Sequence, residues 1–388
     1  MTAQEEKNAT QDRGMASDSP REATIVRTSV LGIAANVLLA AFKAAVGIAT
    51  RSVAVTMDAV NNLSDAMSSV ITIVGTKLAT KRPDKRHPLG YGRVEYLSST
   101  VISVLVLYAG VTSLVESVKG IAFPQTPDYT PVSLVIIAAA VVVKLLLGRH
   151  VKATGERVDS DSLVASGADA LFDAVLSLST LAAALVFIGT GVAIEAWVGA
   201  AISVVIVKSG LEMLGSTLSQ ILGERPDEDI TAKVKGIVEA DPDAHGAYDL
   251  LLHSYGPEHL VGSVHTEVPD TMTAAQIDQM TRRIQRGVYQ ATNGRVLMAA
   301  VGIYSRNTSD DAAAALRSDV TRMVMAHEGV LQMHGFYLDE KDGSLHFDVV
   351  LDFALPDREA LYHQIVDEVR SAYPKLKVSV TLDADVAD

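Results

Sequence analysis

Six stretches of mostly apolar residues alternate with short polar loops in the first 223 residues. A helix needs roughly 20 apolar residues to cross the hydrocarbon core of a bilayer, so these stretches predict six transmembrane helices. They lie near residues 25–49, 53–77, 95–118, 131–150, 162–188 and 192–218. The second and fifth stretches carry the most polar residues, and we expect hydropathy to rank them lowest.

The pattern changes after Gly223, where Glu224-Arg225-Pro226-Asp227 interrupts the last apolar stretch. Beyond it, alternating apolar and polar residues predict strands, and apolar residues three or four apart predict amphipathic helices. The order helix–strand–strand–helix–strand occurs twice, and Lys341-Asp342-Gly343 is a hairpin signal in its second occurrence. We therefore expect two tandem αββαβ modules of the ferredoxin-like type, with helices on one face of an antiparallel sheet.

These patterns together predict an α-helical membrane protein with a C-terminal α+β cytoplasmic domain in two copies. The polar N-terminal segment has no apolar core, so it predicts a disordered cytoplasmic tail and no signal peptide. The predicted parts are that tail, a six-helix transmembrane transport domain and the two αββαβ domains, at residues 1–22, 23–223, 224–306 and 307–388.

The charge distribution agrees with this division. The net charge is −13, and residues 1–223 contain 18 basic and 18 acidic residues, so all the excess negative charge lies in the C-terminal part. An acidic chain is repelled by phosphate backbones, which argues against nucleic-acid binding. The chain has no Cys, which excludes disulfides and thiolate metal sites.

The basic residues near the predicted spans indicate the orientation of the chain. They are concentrated in the loop between the second and third spans and in the loop between the fourth and fifth spans. By the positive-inside rule, these loops and both termini face the cytoplasm, and we expect a multi-pass protein of the cell inner (plasma) membrane. The residues are Lys77, Lys81, Arg82, Lys85, Arg86 and Arg93, and Arg149, Lys152 and Arg157.

Polar and acidic residues recur at helical spacing inside two of the predicted spans. An ionisable group at the centre of a bilayer costs roughly 2.5–3.5 kcal/mol on insertion scales and usually marks a transport path. If the polar faces of the second and fifth spans meet, their carboxylates form a cluster. Such a cluster requires a cation or shared protons. The residues are Asp58, Asn61, Asn62 and Asp65, and Asp169 and Asp173.

A single intramembrane Asp has a simpler interpretation as a packing hydrogen bond or as half of an ion pair. For Asp58, taken alone, the two interpretations are equally supported, with Lys43 or Lys144 as the partner. Two acidic or amide pairs in separate spans favour a cation site.

Two segments resemble signatures of one family, the cation diffusion facilitators. They are the run SVAVTMDAVNNLSD at residues 52–65 and the loop HPLGYGRVE at residues 87–95. The resemblance covers about 25–305, and residues 306–388 resemble a second copy of that family's tail. It implies a homodimer, formed through transmembrane and cytoplasmic domains, that exports divalent cations by alternating access. It also implies a secondary active transporter without a bound cofactor, usually with protons as counter-ion.

The resemblance implies that Asn61, Asp65, Asp169 and Asp173 bind the transported metal. Zinc-transporting members resemble one another in having His in at least one of the two pairs, and this chain has none. An all-oxygen ligand set suits hard cations, whereas Zn²⁺ favours nitrogen and sulfur. The set resembles that of the manganese-exporting branch, so we predict Mn²⁺.

Five further residues are candidates for accessory metal binding. Asp58 is a candidate entry or exit ligand, or a packing residue. Asp84 and His87 match part of a loop cluster found in some members. His253 and His265 are candidates for a weak site in the first module, or surface histidines. The second module offers three residues that we expect to be solvent-facing strand positions unless they bind metal: His334, His346 and Asp348.

Three other functions remain open from the sequence. A Zn²⁺, Fe²⁺ or Co²⁺ exporter of the same family would need only a different preference at the same site. An intramembrane aspartyl hydrolase would use paired carboxylates for acid–base chemistry, but Asp65 and Asp173 lack the Gly-flanked motif. A membrane-anchored metal sensor would leave the buried carboxylates without a role. No phosphate-binding Gly loop is found, so ion gradients are the expected driving force.

Overall fold

Long helices occupy the first part of the chain. The computed structural model describes residues 20–50, 53–123, 131–308 and 311–383. Residues 1–19 of the predicted tail lie outside this set, and the first helix begins at Pro20. The helices up to residue 222 are α1 (Pro20–Thr50), α2 (Val53–Ala79), α3 (Val94–Ala122), α4 (Pro131–Arg157), α5 (Asp161–Thr190) and α6 (Glu195–Leu222).

Five of these helices, namely α1, α3, α4, α5 and α6, are long and apolar enough to cross a membrane. Helix α2 is not among them, and the side chains of its residues 53–61 lie outside the described set, so a sixth span and its low hydropathy rank remain predictions. The expectation that the fifth span would also rank low was wrong. Its acidic residues, Asp161, Asp169 and Asp173, all lie in the first half of α5, and the second half is apolar.

Close helix contacts in this region are made at small residues. The closest neighbours are α4 with α5, α3 with α6, and α1 with α2. A Cβ atom added at Gly167 of α5 would lie 2.7 Å from the Lys152 Cα atom of α4. One added at Gly148 of α4 would lie 2.9 Å from the Leu171 backbone nitrogen of α5. The two backbones therefore touch, as is typical of membrane helices that pack through small residues.

A buried ion pair connects the beginnings of α1 and α3. Arg21 donates to both carboxylate oxygens of Glu95, at 2.8 and 3.0 Å. The same guanidinium donates to the backbone carbonyl oxygens of Val158 and Asp159, at 2.7 and 2.6 Å. Bidentate Arg–carboxylate pairs are among the stronger hydrogen-bonded contacts. This contact therefore holds the start of α1, the start of α3 and the α4–α5 loop together.

The chain divides into two compact units after Gly223. The first unit ends there and also includes Tyr255–Pro257, and the second contains the remaining residues from Glu224 onward. The first module of the second unit comprises α7 (Glu228–Glu239), β1 (His245–Ser254), β2 (Leu260–Pro269), α8 (Ala274–Ala291) and β3 (Val296–Arg306). The second module comprises α9 (Asp311–Val324), β4 (Val330–Asp339), β5 (Ser344–Leu351), α10 (Arg358–Ala372) and β6 (Lys377–Asp383).

Each module contains a three-stranded sheet, and the two sheets have the same topology. The strand orders are β1-β2-β3 and β4-β5-β6. The first two strands of each sheet are antiparallel, and the last two are parallel. The prediction of purely antiparallel sheets was therefore wrong. The helix between the second and third strands returns the chain to the starting edge, which is the connection that parallel neighbours need.

Each module has its own apolar core between its helices and its sheet. In the first module, Leu250, Val264 and Ile284 are buried from β1, β2 and α8. In the second module, Phe336 and Phe347 are buried against α10. Each run of five elements therefore has a hydrophobic core of its own.

Polar contacts join the two modules inside the second unit. Arg317 of α9 donates to both oxygens of the buried Glu267 on β2, at 2.9 and 2.7 Å. The Asn307 side chain donates to the Leu338 carbonyl oxygen at 3.1 Å and accepts from the Leu338 amide at 2.9 Å. Asn307 thus pairs with the edge of β4 as a neighbouring strand would.

The α4–α5 contact predicts the effect of enlarging its glycine. Gly167→Val should lower the free energy of unfolding by about 1–3 kcal/mol, because extra atoms in a packed contact force the helices apart. Thermal unfolding of the purified, detergent-solubilised protein measures this. Gly189→Val, on the same helix, is the matched control, since no other part of the described chain lies within 4 Å of a Cβ there. Equal unfolding temperatures for the two variants would contradict the contact.

Candidate metal centre

Two carboxylates from different helices meet at one ammonium group in the first unit. Lys144 of α4 donates from Nζ to Asp65 Oδ2 of α2 at 2.6 Å and to Asp173 Oδ2 of α5 at 2.8 Å. The Lys144 side chain is 3% exposed, whereas Asp65 and Asp173 retain 20% and 34%. The ammonium is enclosed while the carboxylates stay accessible, so another cation can reach their oxygens.

Asp169 belongs to the same site. It lies one helical turn before Asp173 on α5 and lines a small cavity together with Asp65 and Lys144. Ser68 of α2 and Ser166 of α5 also line the cavity, and their hydroxyl oxygens are 3.3 Å apart. The lining is therefore rich in oxygen atoms. Its other polar members are Asn36 and Ser69.

Of the predicted ligands on α2, only the Asp65 side chain is described. Asn61 and Asp58 lie on α2, about one and two turns before Asp65. Their side chains lie outside the described residues, so a role for Asn61 as fourth ligand and for Asp58 as relay stays a prediction. The neighbouring Asn62 is buried.

Sequence reasoning missed the position of Lys144. It considered Lys144 as a partner for Asp58, whereas the structure pairs it with Asp65 and Asp173. The signal was a Lys inside an otherwise apolar span, which needs a counter-charge. Its partner could not be deduced because that depends on how α4 is rotated.

The close α4–α5 packing explains this geometry. Gly148 lies one turn after Lys144, and its contact with the Leu171 backbone falls between Asp169 and Asp173 in sequence. With the two backbones in contact there, a long side chain from α4 reaches across to the acidic face of α5. The site thus depends on two small residues as much as on its charges.

The charges of the site are not balanced. Three ionised carboxylates and one ammonium leave a formal charge of −2, which one divalent cation would neutralise. Uncompensated charge at this depth is costly. The geometry therefore favours divalent cations over monovalent ones.

The loop candidates Asp84 and His87 have structural roles in this structure. Tyr91 donates from its hydroxyl to Asp84 Oδ2 at 2.6 Å, and the amides of Arg86 and His87 donate to Oδ1 at 2.9 Å. The Tyr91 hydroxyl, followed by the His87 amide, holds the pKa of Asp84 well below its usual range. His87 Nδ1 lies 3.5 Å from the same carboxylate. Asp84 thus closes the loop, and metal binding there stays a prediction.

The structure does not bring His253 and His265 together. In the β1–β2 ladder His253 pairs with Val261, and His265 pairs with Tyr248. Five residues of β1 separate the two pairs, roughly 16 Å at strand spacing. A joint site for these histidines was a wrong prediction. His265 instead contacts Asp249, at 3.1 Å from Nδ1 to Oδ2.

Comparison with known proteins identifies the class. The family described as the cation efflux transmembrane domain matches residues 29–222. The chain belongs to this cation efflux family, the cation diffusion facilitators. It is a multi-pass membrane protein and a divalent metal transporter rather than an enzyme, which removes the aspartyl hydrolase from consideration.

Three relatives match between 39% and 64% of the chain. An uncharacterized transporter of Methanocaldococcus jannaschii is 25% identical over 253 residues, which are 64% of this chain and 87% of that protein. The manganese efflux system protein MneS of Bacillus subtilis is 32% identical over 154 residues, 39% of this chain and 52% of MneS. MneP of the same organism, also a manganese efflux system protein, is 24% identical over 234 residues, 57% of this chain and 76% of MneP. The chain thus resembles the manganese branch of the family.

The Lys144 contacts predict a competition between ammonium and metal. Lys144→Met removes the cation that occupies the oxygens of Asp65 and Asp173, so Mn²⁺ should bind at least about tenfold more tightly, because one opposing charge is lost. Equilibrium dialysis of Mn²⁺ against the purified protein measures this. Lys208→Met, an exposed Lys on α6 paired with Glu212, is the control. Unchanged or weaker binding by Lys144→Met would contradict competition.

Proposed function

We propose that this protein exports Mn²⁺ from the cytoplasm in exchange for protons, by alternating access. The transported ion binds at Asp65, Asp169 and Asp173, with Asn61 as the fourth ligand. One observation carries the proposal: carboxylates from α2 and α5 already meet around a single cationic atom, Lys144 Nζ. A position that holds an ammonium group between carboxylate oxygens is suited to a metal ion.

The choice of Mn²⁺ rests on the ligand atoms. The described ligands are carboxylates, and oxygen ligands suit Mn²⁺ better than they suit Zn²⁺, which favours nitrogen and sulfur. The resemblance to two manganese efflux proteins supports the same choice. The second candidate is export of Zn²⁺, Fe²⁺ or Co²⁺, since intrinsic affinity at most sites rises from Mn²⁺ towards Cu²⁺.

The charges give the exchange its mechanism. A divalent ion that enters from the cytoplasm takes the oxygens of Asp65 and Asp173 from Lys144, and the loaded site is formally neutral. When the ion leaves on the other side, Lys144 can rejoin the carboxylates, but a charge of −2 remains. Protons taken up by the carboxylates offset that charge. They are released when the next metal ion binds, so metal and protons move in opposite directions.

The remaining features of the proposal concern assembly and orientation. A homodimer follows from the family resemblance. The positive-inside rule supports cytoplasmic termini and a plasma membrane location. Helix α2 then crosses the membrane as the sixth span, because its polar face is turned towards Lys144 and Asp169.

Vesicle transport tests the site and the antiport together. Addition of Mn²⁺ to inside-out vesicles with an acidic interior should collapse the pH gradient, followed with a pH-sensitive dye, while Mn²⁺ accumulates. Asp173→Ala should abolish both signals, since it removes a ligand. Glu212→Ala, an exposed carboxylate on α6, should leave both unchanged.

The outcomes separate the parts of the proposal. Normal transport by Asp173→Ala would refute the site. Mn²⁺ accumulation without proton movement would refute the antiport alone. Faster transport of Zn²⁺ or Co²⁺ than of Mn²⁺ at equal concentration would favour the second candidate.

Substitution of Asn61 tests whether the hardness of the ligand atoms sets the metal preference. Asn61→His introduces an imidazole nitrogen, so the ratio of Zn²⁺ to Mn²⁺ transport should rise at least several-fold. Competition between the two metals in the same vesicles measures the ratio. Asn61→Asp keeps an oxygen ligand and is the matched control. An unchanged ratio in Asn61→His would mean that position 61 does not contact the ion.

A further inference from the structure

A second cluster of metal-ligating side chains lies where the two modules of the second unit meet. Asp249 of β1, His334 of β4 and Asp383 of β6 each offer one ligand atom, and these atoms lie within 4.8 Å of one another. We propose that this cluster, which we call the module-interface site, binds a divalent first-row transition metal ion of the zinc type. The ion would join the first module to the second.

His334 is the central residue of the site. Its side chain is 0% exposed, so the expectation of a solvent-facing strand residue was wrong. Nε2 lies 2.9 Å from Asp249 Oδ1, 3.7 Å from Asp383 Oδ2 and 4.0 Å from Asp348 Oδ2. Among the described residues, neither ring nitrogen has a correctly aligned hydrogen-bond partner. Buried polar atoms rarely lack a hydrogen-bond partner. A metal ion bound to Nε2 would supply the missing partner of that nitrogen.

Backbone irregularities point the ligands towards each other. Strand β1 has a bulge between Tyr248 and Leu251, and Asp249 within it has φ = 50°. Strand β4 has a bulge between His334 and Tyr337, with Gly335 at φ = 64°. Bulges redirect side chains and are frequent beside functional sites. A non-glycine residue at positive φ is strained, and such strain also clusters at ligand sites.

Asp249 is oriented so that one oxygen faces His334. Tyr304 donates from its hydroxyl to Asp249 Oδ2 at 2.6 Å, and His265 Nδ1 lies 3.1 Å from the same oxygen. Oδ1 is thereby left to face His334. Metal ligands are typically fixed in this way by partners on their other oxygen or nitrogen. The His265 ring occupies space above Gly302, where a Cβ atom would collide with it.

The imidazole ring of His334 is also held in place. The Tyr248 ring stacks on it, with centroids 4.9 Å apart and planes at 13°. The first module thus supplies Asp249 and Tyr248, and the second supplies His334 and Asp383. A complete site therefore requires both modules in contact.

The ligand types define the class of ion. One imidazole nitrogen and two carboxylates form a mixed set that suits Zn²⁺, Co²⁺ or Fe²⁺. This set differs from the carboxylates around Lys144 in having nitrogen. The two sites should therefore rank metals differently, and the module-interface site does not depend on the proposed transport function.

Full-length protein with Asp65→Ala and Asp173→Ala is the background for the test, because it removes the other carboxylate site. Titration with Co²⁺, followed by its visible absorption bands, and dialysis against Zn²⁺ should show one ion per chain. Adding Asp383→Asn should weaken binding at least about tenfold and change the Co²⁺ bands. Asp383 is 31% exposed, so this change leaves the fold intact where His334→Gln could disturb it.

Asp367→Asn, an exposed carboxylate on α10, is the control and should bind like the background. Absence of any bound ion in the background would overturn the proposal. Equal affinities for Asp383→Asn and Asp367→Asn would overturn it too. In either case His334 would be the protonated partner of an ion pair with Asp249.

Discussion

The arrangement of the first unit depends on the compensation of charge that lipid cannot solvate. Asp65 and Asp173 are more than a hundred residues apart in the sequence, and the Lys144 ammonium is the group that both contact. Neither carboxylate would remain ionised at that depth without a cation nearby. The close α4–α5 packing places that ammonium, and the polar face of α2 and the cavity around Asp169 surround it. A divalent metal ion at these oxygens would supply the same compensation with twice the charge.

Periodicity was sufficient to find the acidic residues of the site but insufficient to find their partner. Asp169 and Asp173 share a helix face by spacing alone, and the pattern of Asp65 on α2 is equally plain. Lys144 was visible as an unusual residue, yet its partner depends on the rotation of α4, which Gly148 and its contact with Leu171 determine. Tertiary contacts of this kind leave no local pattern in the sequence.

The same distinction holds in the second unit. Strand and helix positions followed from local patterns, and the hairpin at Gly343 from its turn residues. The parallel pairing of the last two strands did not, because it depends on where α8 and α10 return the chain. The burial of His334 was also missed, since an alternating strand pattern assigns faces without knowing that another module covers one of them. The bulges at Asp249 and Gly335 interrupt that alternation at and beside the residues that face each other between the modules.

The matching topology of the two sheets has a consequence for how this interface can vary. The ladder places Tyr248 opposite His265 in one sheet and His334 opposite Asp348 in the other, so corresponding positions carry different chemistry. In an assembly of identical subunits, one substitution alters both sides of a contact at once. Here the two sides are encoded separately, and each can change alone. A single chain can therefore carry a stacking ring at one position, Tyr248, and a ligand at the corresponding position of the other module, His334. Two identical copies would carry the same residue at both positions.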